Sequence, residues 1–188
     1  ASDVYKRQDK NRANANKLMG RFLYELKKKA EYALISLTGG QKDNAITREC
    51  TAEFLTDSVA EVKAYAKELQ EQLREEYTGS DENITFEITE KGTATAEVLH
   101  PTSQEKIVFY LQNVPFGIQK MSGTIKGLVE TSSNIGILRL DKDELFASSS
   151  VRSSVDAACS ALSDKIEYLT EFPVSYTHLR AHETDQYL

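Results

Sequence analysis

Residues 58–77 read SVAEVKAYAKELQEQLREEY, and residues 84–90 read ITFEITE. The first stretch spaces its apolar residues three and four positions apart, which predicts an amphipathic helix with one buried face. Ser58 and Glu61 fit a capping box that predicts where this helix begins. The second stretch alternates apolar and polar residues, which is typical of a half-buried β-strand. A helix followed by such a strand indicates a domain that mixes helices with strands.

The rest of the chain continues this mixture in both directions. Helical spacing and strand alternation predict three more helices and four more strands: helices at 14–29, 102–111 and 155–169, and strands at 32–37, 47–55, 134–140 and 145–149. Residues 114–127 contain Pro115 and three glycines, so they are predicted as turns. Helices interleaved with antiparallel strand pairs predict an α+β fold, a two-layer sandwich.

Composition excludes several classes of protein. The chain has 188 residues, with 23 Lys+Arg against 29 Asp+Glu and a net charge of −6. A nucleic-acid partner is not expected, because phosphate binding needs a basic face. A membrane span is not expected, because no apolar run approaches about 20 residues. Cys50 and Cys159 are too few for a disulfide framework, which favours a reducing, cytoplasmic compartment.

Catalytic motifs are scarce when the residues are considered by themselves. His178 and His182 have the i, i+4 spacing that can share a zinc ion on a helix. The zinc-protease motif needs Glu directly after the first histidine, where this chain has Leu179, so we interpret the pair as part of a tail without a metal site. His100 precedes Pro101 and is predicted in a loop. From the residues alone, a free-standing interaction or small-ligand-binding module without catalysis fits the chain.

Three segments, however, resemble one family of peptidases. They are RANANKLMGR at 12–21, ISLTGGQKDNAITRE at 35–49, and a discontinuous stretch with NVPFG at 113–117, GLVETS at 127–132 and SVRSSVD at 150–156. In this order they resemble the aminoacyl-histidine dipeptidases (Xaa-His dipeptidase, peptidase D), relatives of the carnosinases among the dinuclear-zinc metallopeptidases. The resemblance covers roughly residues 9 to 172.

The resemblance implies that the chain is the lid and dimerisation domain of such an enzyme. The domain is expected to be ferredoxin-like, with an antiparallel sheet of about four strands and helices on one face. The parent enzyme would hydrolyse a dipeptide substrate with two zinc ions and would form a homodimer in the cytoplasm. The segments that bear the family's metal ligands are absent from this sequence. No zinc is therefore expected on this chain, which is expected to be inactive alone.

The resemblance also carries over two site residues. Asn44 matches a lid asparagine that polarises the scissile carbonyl, as suits an amide donor near a developing oxyanion; a turn-forming asparagine is the alternative. Arg152 matches an arginine that grips the substrate's terminal carboxylate through two parallel hydrogen bonds; a surface ion pair is the alternative. The sequence departs from the family at Thr47, where Pro is usual, and this change is expected to loosen the loop after Asn44. Residues without an assigned role in a matching motif are Glu130, Thr131 and Asn134.

Both ends of the chain resemble translated sequencing-adapter sequence. Residues 1–8 read ASDVYKRQ, and residues 174–184 read VSYTHLRAHET. The domain is therefore expected to span residues 9–174, with its last helix starting the return to a catalytic domain. Residues 1–8 and 175–188 are expected to be artefacts outside the fold.

Deleting residues 1–8 and 175–188 together is expected to change the free energy of unfolding by less than about 0.5 kcal/mol. The reason is that neither segment has an apolar stripe that could pack on the core. Urea unfolding of the full and shortened chains measures the difference. A loss of about 2 kcal/mol or more would show that one of these segments packs on the domain.

Overall fold

The computed structural model describes residues 12–92, 95–141 and 144–171. In these ranges nine elements follow one another: α1 (Ala15–Leu26), β1 (Ala33–Gly39), β2 (Cys50–Leu55), α2 (Val59–Glu76), α3 (Pro101–Asn113), β3 (Gly117–Met121), β4 (Val129–Asp141), β5 (Glu144–Ser153) and α4 (Asp156–Glu171). The five strands form one antiparallel sheet in the order β2-β1-β4-β3, and β5 pairs with β4. The structure confirms the predicted α+β class, and its sheet has one strand more than the about four that the resemblance implies.

Strand β4 joins two parts of this sheet. One of its edges pairs with β5 along residues 131–141. The other edge pairs with β3 through residues 129–133 and with β1 through residues 138–140. Between these ladders, residues 134–137 have no strand partner on that edge within the described ranges, and the register to β5 shifts there. Such a shift bends a strand, so the sheet curls and leaves a gap beside the middle of β4.

The helices pack against the sheet and against one another. α1 contacts α2, α3 and β2, and α4 contacts α3 and β5. The apolar stripe of α1 buries Phe22, Leu23 and Leu26, as its spacing predicts. These side chains join a core that includes Leu34 and Leu37 of β1. Full burial of each such side chain contributes about 1.5–3 kcal/mol, so the shared core is the main source of stability. No helix in the described ranges is both long enough and apolar enough to cross a membrane.

The strand predicted at residues 84–90 is not part of the sheet. Its alternation persists, because Ile84, Phe86 and Ile88 pack against the core while the residues between them are exposed. It forms no ladder with any described strand. Side chains of α2 bond its main chain instead: Phe86 N–H donates to Gln70 Oε1 at 2.8 Å, and Arg74 Nε donates to the Ile84 carbonyl at 3.0 Å. The predicted alternation of buried and exposed residues is confirmed, but the prediction that this segment is a strand was wrong.

Residues 117–121 show the opposite difference between prediction and structure. They were predicted as turns because of their proline and glycine neighbours, but they form β3 and pair with β4. Gly117 has φ +79° and makes the turn into the strand. Pairing with β4 therefore outweighs the local preference of this segment for turns.

Two helix starts are corrected by the structure. Ser58 precedes α2 as predicted, but its side chain makes no capping bond, and its N–H donates to Thr56 Oγ1 at 3.1 Å. α3 begins at Pro101, and His100, predicted in a loop, is its N-cap. The Nδ1 of His100 accepts the N–H of Thr102 at 3.3 Å. The predicted capping box does not form at the start of α2, so burial of the α2 apolar stripe contributes more to this helix.

Helices α1 and α3 come closest at Gly20. A Cβ at this position would lie 2.6 Å from the Cβ of Leu111, so only glycine fits. One turn earlier, Lys17 Nζ donates to the carbonyls of Leu111, Gln112 and Val114 at 2.5, 3.0 and 2.9 Å. This ammonium satisfies carbonyls that the C-terminal end of α3 leaves without partners. Burial lowers the pKa of Lys17 to about 8.

Gly20→Ala is expected to lower the free energy of unfolding by about 1–2 kcal/mol, although Ala is the better helix former by about 1 kcal/mol. The overlap with Leu111 Cβ outweighs the propensity gain. Gly123→Ala is the matched control, because no atom lies within 4 Å of its added Cβ. The control is expected to stay within about 0.5 kcal/mol of the parent chain in urea unfolding. A Gly20→Ala chain as stable as the parent would contradict the close helix contact.

Candidate functional site

The candidate site lies on one face of the β4–β5 hairpin. The register pairs Ser132 with Arg152 and Asn134 with Ser150. Because side chains alternate along a strand and directly paired residues share a face, these four side chains lie on the same face. Arg152 is half-buried, and the other three are buried. A cation, an amide and two hydroxyls are therefore collected within two cross-strand pairs.

The opposite face of the hairpin packs against the helices. Ile135 and Ser149 are paired there; Ile135 is part of the core, and Ser149 lies next to Tyr110 of α3. Thr131 is also on this face, and its Oγ1 lies 2.9 Å from the Oγ of Ser153. The three motif residues without an assigned role thus lie on two different faces of β4. Those on the Arg152 face are Glu130 and Asn134, and the one on the helix face is Thr131.

Polar side chains close the gap beside the middle of β4. The carbonyl oxygen of Ile135 accepts Nδ2 of Asn14 at 2.9 Å and Nδ2 of Asn16 at 3.4 Å. Thr47 Oγ1 lies 3.2 Å from the same oxygen and 2.8 Å from the carbonyl oxygen of Gly136. All three side chains are buried. Two carbonyls that lack a ladder partner are therefore satisfied by side chains, as buried polar groups require.

The same gap holds the loop that carries Asn44. Asn134 Nδ2 donates to the carbonyls of Asp43 at 3.3 Å and Ala45 at 2.8 Å, one on each side of Asn44. We call these two hydrogen bonds of Asn134 the clamp. Asn134 Oδ1 accepts Nδ2 of Asn14 at 3.1 Å, so the clamp is itself held by the start of α1. Asn44 is exposed, and its N–H donates to Asp43 Oδ1 at 2.7 Å. The loop backbone is fixed while the Asn44 side chain projects outward.

Glycines allow this loop to touch the strand. Gly40 has φ +73°, and a Cβ there would lie 1.8 Å from the carbonyl oxygen of Gly136. A Cβ on Gly136 would lie 2.3 Å from the carbonyl oxygen of Asp43. Thr47 strengthens the contact, because its hydroxyl faces two carbonyls and its own carbonyl accepts the N–H of Ala15 at 2.9 Å. Thr47 is thus bonded to the main chain of β4 and of α1, and the expectation that it loosens the loop relative to proline stays a prediction.

The fold ties the loop that carries Asn44 to the face of the hairpin that carries Arg152. Asn134 holds the carbonyls on both sides of Asn44 and pairs with Ser150, and Arg152 follows Ser150 by two positions. Two positions along a strand correspond to about 7 Å. No salt bridge of Arg152 occurs within the described ranges, whereas Glu130 on this face pairs with Lys120 Nζ at 2.6 Å. The site can hold a carboxylate and donate an amide hydrogen to a nearby carbonyl.

The described residues do not gather a metal centre. No group of three or more His, Cys, Asp or Glu in these ranges is placed to hold an ion. His178 and His182 lie outside the described residues.

Asn134→Ala is expected to lower the free energy of unfolding by about 1–3 kcal/mol, because buried donors and acceptors lose their partner. Hydrogen exchange at the amides of residues 43–46 is expected to become faster, since the loop is released. Asn113→Ala is the matched control, because this asparagine is exposed and donates to Phe109 in its own helix. The control is expected to change stability by less than about 0.5 kcal/mol. If the two variants lost the same free energy of unfolding, Asn134 would not be holding this loop.

Known proteins resemble the chain in both sequence and structure. The family model of the M20 peptidase dimerisation domain matches residues 8–81. The cytosol non-specific dipeptidase of Escherichia coli (strain K12) is 30% identical over 146 residues, which cover 77% of this chain and 30% of the relative. The crystal structure of aminoacylhistidine dipeptidase from Vibrio alginolyticus matches with a TM-score of 0.70 and 28% identity, over 86% of this chain and 33% of that one. The chain spans about a third of the length of these relatives. These similarities support a fragment of this peptidase family, in which residues 8–81 match the dimerisation domain.

Proposed function

We propose that the chain is the lid of a zinc-dependent, cytoplasmic dipeptidase that hydrolyses Xaa-His and similar dipeptides. The observation that carries the proposal is that Asn134, on the same face of the β4–β5 hairpin as Arg152, binds the carbonyls on both sides of Asn44. The two relatives are dipeptidases, which supports dipeptides as the substrate class. The family relationship favours this function over a free-standing interaction or small-ligand-binding module.

Arg152 is proposed to bind the terminal carboxylate of the dipeptide. Its guanidinium has no salt bridge within the described ranges, and Ser132 is its cross-strand partner. The Oγ of Ser132 is buried and has no hydrogen-bond partner among these residues. A guanidinium fork matches the two oxygens of a carboxylate, and the adjacent hydroxyl provides another donor. A charged substrate end is thereby held at a defined position on the sheet.

Asn44 is proposed to donate its side-chain amide to the carbonyl of the scissile bond. Negative charge develops on that oxygen in the transition state, and a donor that is already in place stabilises it without reorganisation. The clamp by Asn134 supports this role, because it holds the main chain on both sides of Asn44. Asn134 is thus a positioning residue for Asn44.

The parent enzyme is proposed to use two zinc ions, which would supply Lewis-acid chemistry and an activated water. The described residues offer no ligand cluster for them. The contribution of this chain is therefore proposed to be binding and orientation of the dipeptide, together with dimer contacts.

Arg152→Ala in the complete dipeptidase is expected to lower kcat/KM for a free dipeptide by about 30- to 5,000-fold. The basis is that losing one partner of a desolvated charge pair costs about 2–5 kcal/mol. A dipeptide amide lacks the carboxylate, so it is expected to be a poor substrate already and to lose little more. Arg152→Lys keeps the charge without the two-point geometry and is expected to recover only part of the rate.

Arg139→Ala is the control for this comparison, because Arg139 is exposed on the same hairpin and is expected to leave both substrates unaffected. Steady-state rates for the two substrates and the variants form the test. If Arg152→Ala slows the dipeptide and its amide equally, the arginine has a structural role and does not bind the carboxylate.

The chain is also proposed to form a homodimer, because the dimerisation-domain family matches residues 8–81. Sedimentation equilibrium at tens of micromolar is expected to show a dimer. A chain that stays monomeric throughout this range would show that the described domain does not contain a sufficient dimer interface.

A further inference from the structure

A row of three side chains crosses the sheet at the candidate site. Ser132 of β4 pairs directly with Arg152 of β5 on one edge and with Ile118 of β3 on the other. Directly paired residues lie on the same face of a sheet, so Ile118 belongs to the face that carries Arg152. Neighbouring strands are about 4.8 Å apart, which places the main chains of Ile118 and Arg152 about 10 Å from each other.

The accessible part of this row is formed by its two ends. Ser132 is 1% exposed, whereas Ile118 is 38% exposed and Arg152 is half-buried. A molecule that approaches this face therefore meets a guanidinium on one side and an apolar side chain on the other. Single exposed apolar residues are common on protein surfaces, but this one lies directly across a small buried serine from the arginine of the candidate site.

The main chain at Ile118 is held in place. Gln119 Nε2 donates to the carbonyl of Phe116 at 3.1 Å and to the carbonyl of Gly117 at 3.4 Å, so a side chain fixes the two carbonyls directly before Ile118. The register between β3 and β4 shifts directly after Ile118. Such a shift bends a strand, so β3 turns out of the row at this point. Ile118 is thus a fixed apolar contact at the end of the regular pairing.

The charged residues next to this row compensate each other. Lys120 Nζ of β3 lies 2.6 Å from Oε1 of Glu130 on β4, and each residue is two positions away from a member of the row. Arg152 forms no salt bridge among the described residues. A carboxylate at Arg152 is therefore matched by charge, whereas a charged group at Ile118 would lose its hydration without gaining a partner.

The proposed carbonyl contact lies on a third side of Ser132. Asn134 follows Ser132 by two positions, about 7 Å along β4, and it holds the loop of Asn44. In a dipeptide, the Cα of the C-terminal residue bears the carboxylate, the nitrogen of the scissile bond and the side chain. When the carboxylate is at Arg152 and the scissile bond is toward Asn44, Ile118 is the remaining neighbour on this face for the side chain.

We propose that Ile118 contacts the side chain of the C-terminal residue of the dipeptide and selects apolar side chains there. The inference rests on the proposed function, in which Arg152 binds the carboxylate of the same residue. Side chains of Leu, Met and Phe bury apolar surface against Ile118, and the neutral imidazole of histidine packs in the same way. Side chains of Asp, Glu and Lys lose hydration at this position. Ile118 is thus a specificity-determining residue of the site.

The proposal is tested by a change of substrate preference in the complete dipeptidase. Ile118→Lys removes the apolar contact and supplies a cation, so the ratio of kcat/KM for Ala-Leu over Ala-Glu is expected to fall by about tenfold or more. Ile118→Glu is expected to raise the ratio for Ala-Lys over Ala-Glu by a similar factor. Ile125→Lys is the matched control, because Ile125 is 57% exposed between β3 and β4, outside the row, and its ratios are expected to stay within about twofold.

Ile118→Ala measures the apolar contact without a new charge. This variant is expected to lower kcat/KM for Ala-Leu by about 5- to 10-fold and for Ala-Gly by less than about twofold, because glycine has no side chain that could lose the contact. Circular dichroism checks that the variants fold. Equal losses for Ala-Leu and Ala-Gly would show that Ile118 packs against another part of the enzyme and would overturn the proposal.

The measurements separate this proposal from the function on which it rests. Unchanged ratios in Ile118→Lys, with an Arg152→Ala variant that still distinguishes the dipeptide from its amide, would overturn the Ile118 contact and leave the proposed function in place. Changed ratios in Ile118→Lys, with an Arg152→Ala variant that slows the dipeptide and its amide equally, would support the Ile118 contact and remove the carboxylate contact.

Discussion

The middle of β4 is the constraint on which the site depends, because residues 134–137 have no strand partner on one edge within the described ranges. β1 and β3 share this edge of the strand, and in the described part of the chain neither forms a ladder with Ile135 or Gly136. A buried carbonyl without a partner costs about 1–3 kcal/mol, so the fold has to supply donors at this point. Asn14, Asn16 and Thr47 supply them. The same hydrogen bonds fix the start of α1 and the end of the loop before β2.

The candidate site is a consequence of this arrangement. Once the loop is seated in the gap, Asn134 reaches the carbonyls on both sides of Asn44, and glycines at the contact allow the backbones to meet. Arg152 comes to the same face through the ladder between β4 and β5. In the proposed function, a loop backbone that is held in place in this way would need little reorganisation when the dipeptide binds.

The edge of β2 that faces residues 84–89 is covered differently from the gap beside β4. In the gap beside β4, side chains from the same domain satisfy the carbonyls, and the surface is closed. Between β2 and residues 84–89, described side chains of α2 reach part of the main chain, and Leu18 and Met19 of α1 stay only partly covered by the described residues. The first arrangement closes the surface around the main chain, and the second leaves apolar side chains partly covered.

Sequence alone determined the α+β class, the four helices, the two long apolar stripes and the family resemblance, because burial of one helix face or one strand face leaves a local period of 3.6 or 2 residues. It also marked Asn44 and Arg152, although only through that resemblance. It did not determine that residues 84–90 lie outside the sheet or that residues 117–121 lie inside it, because strand pairing depends on a neighbour far away in the chain. No linear pattern shows that Asn16 and Asn134 are buried, since their partners are the main chain of distant segments. The tertiary structure alone decided the gap in β4, and with it the position of the loop that carries Asn44.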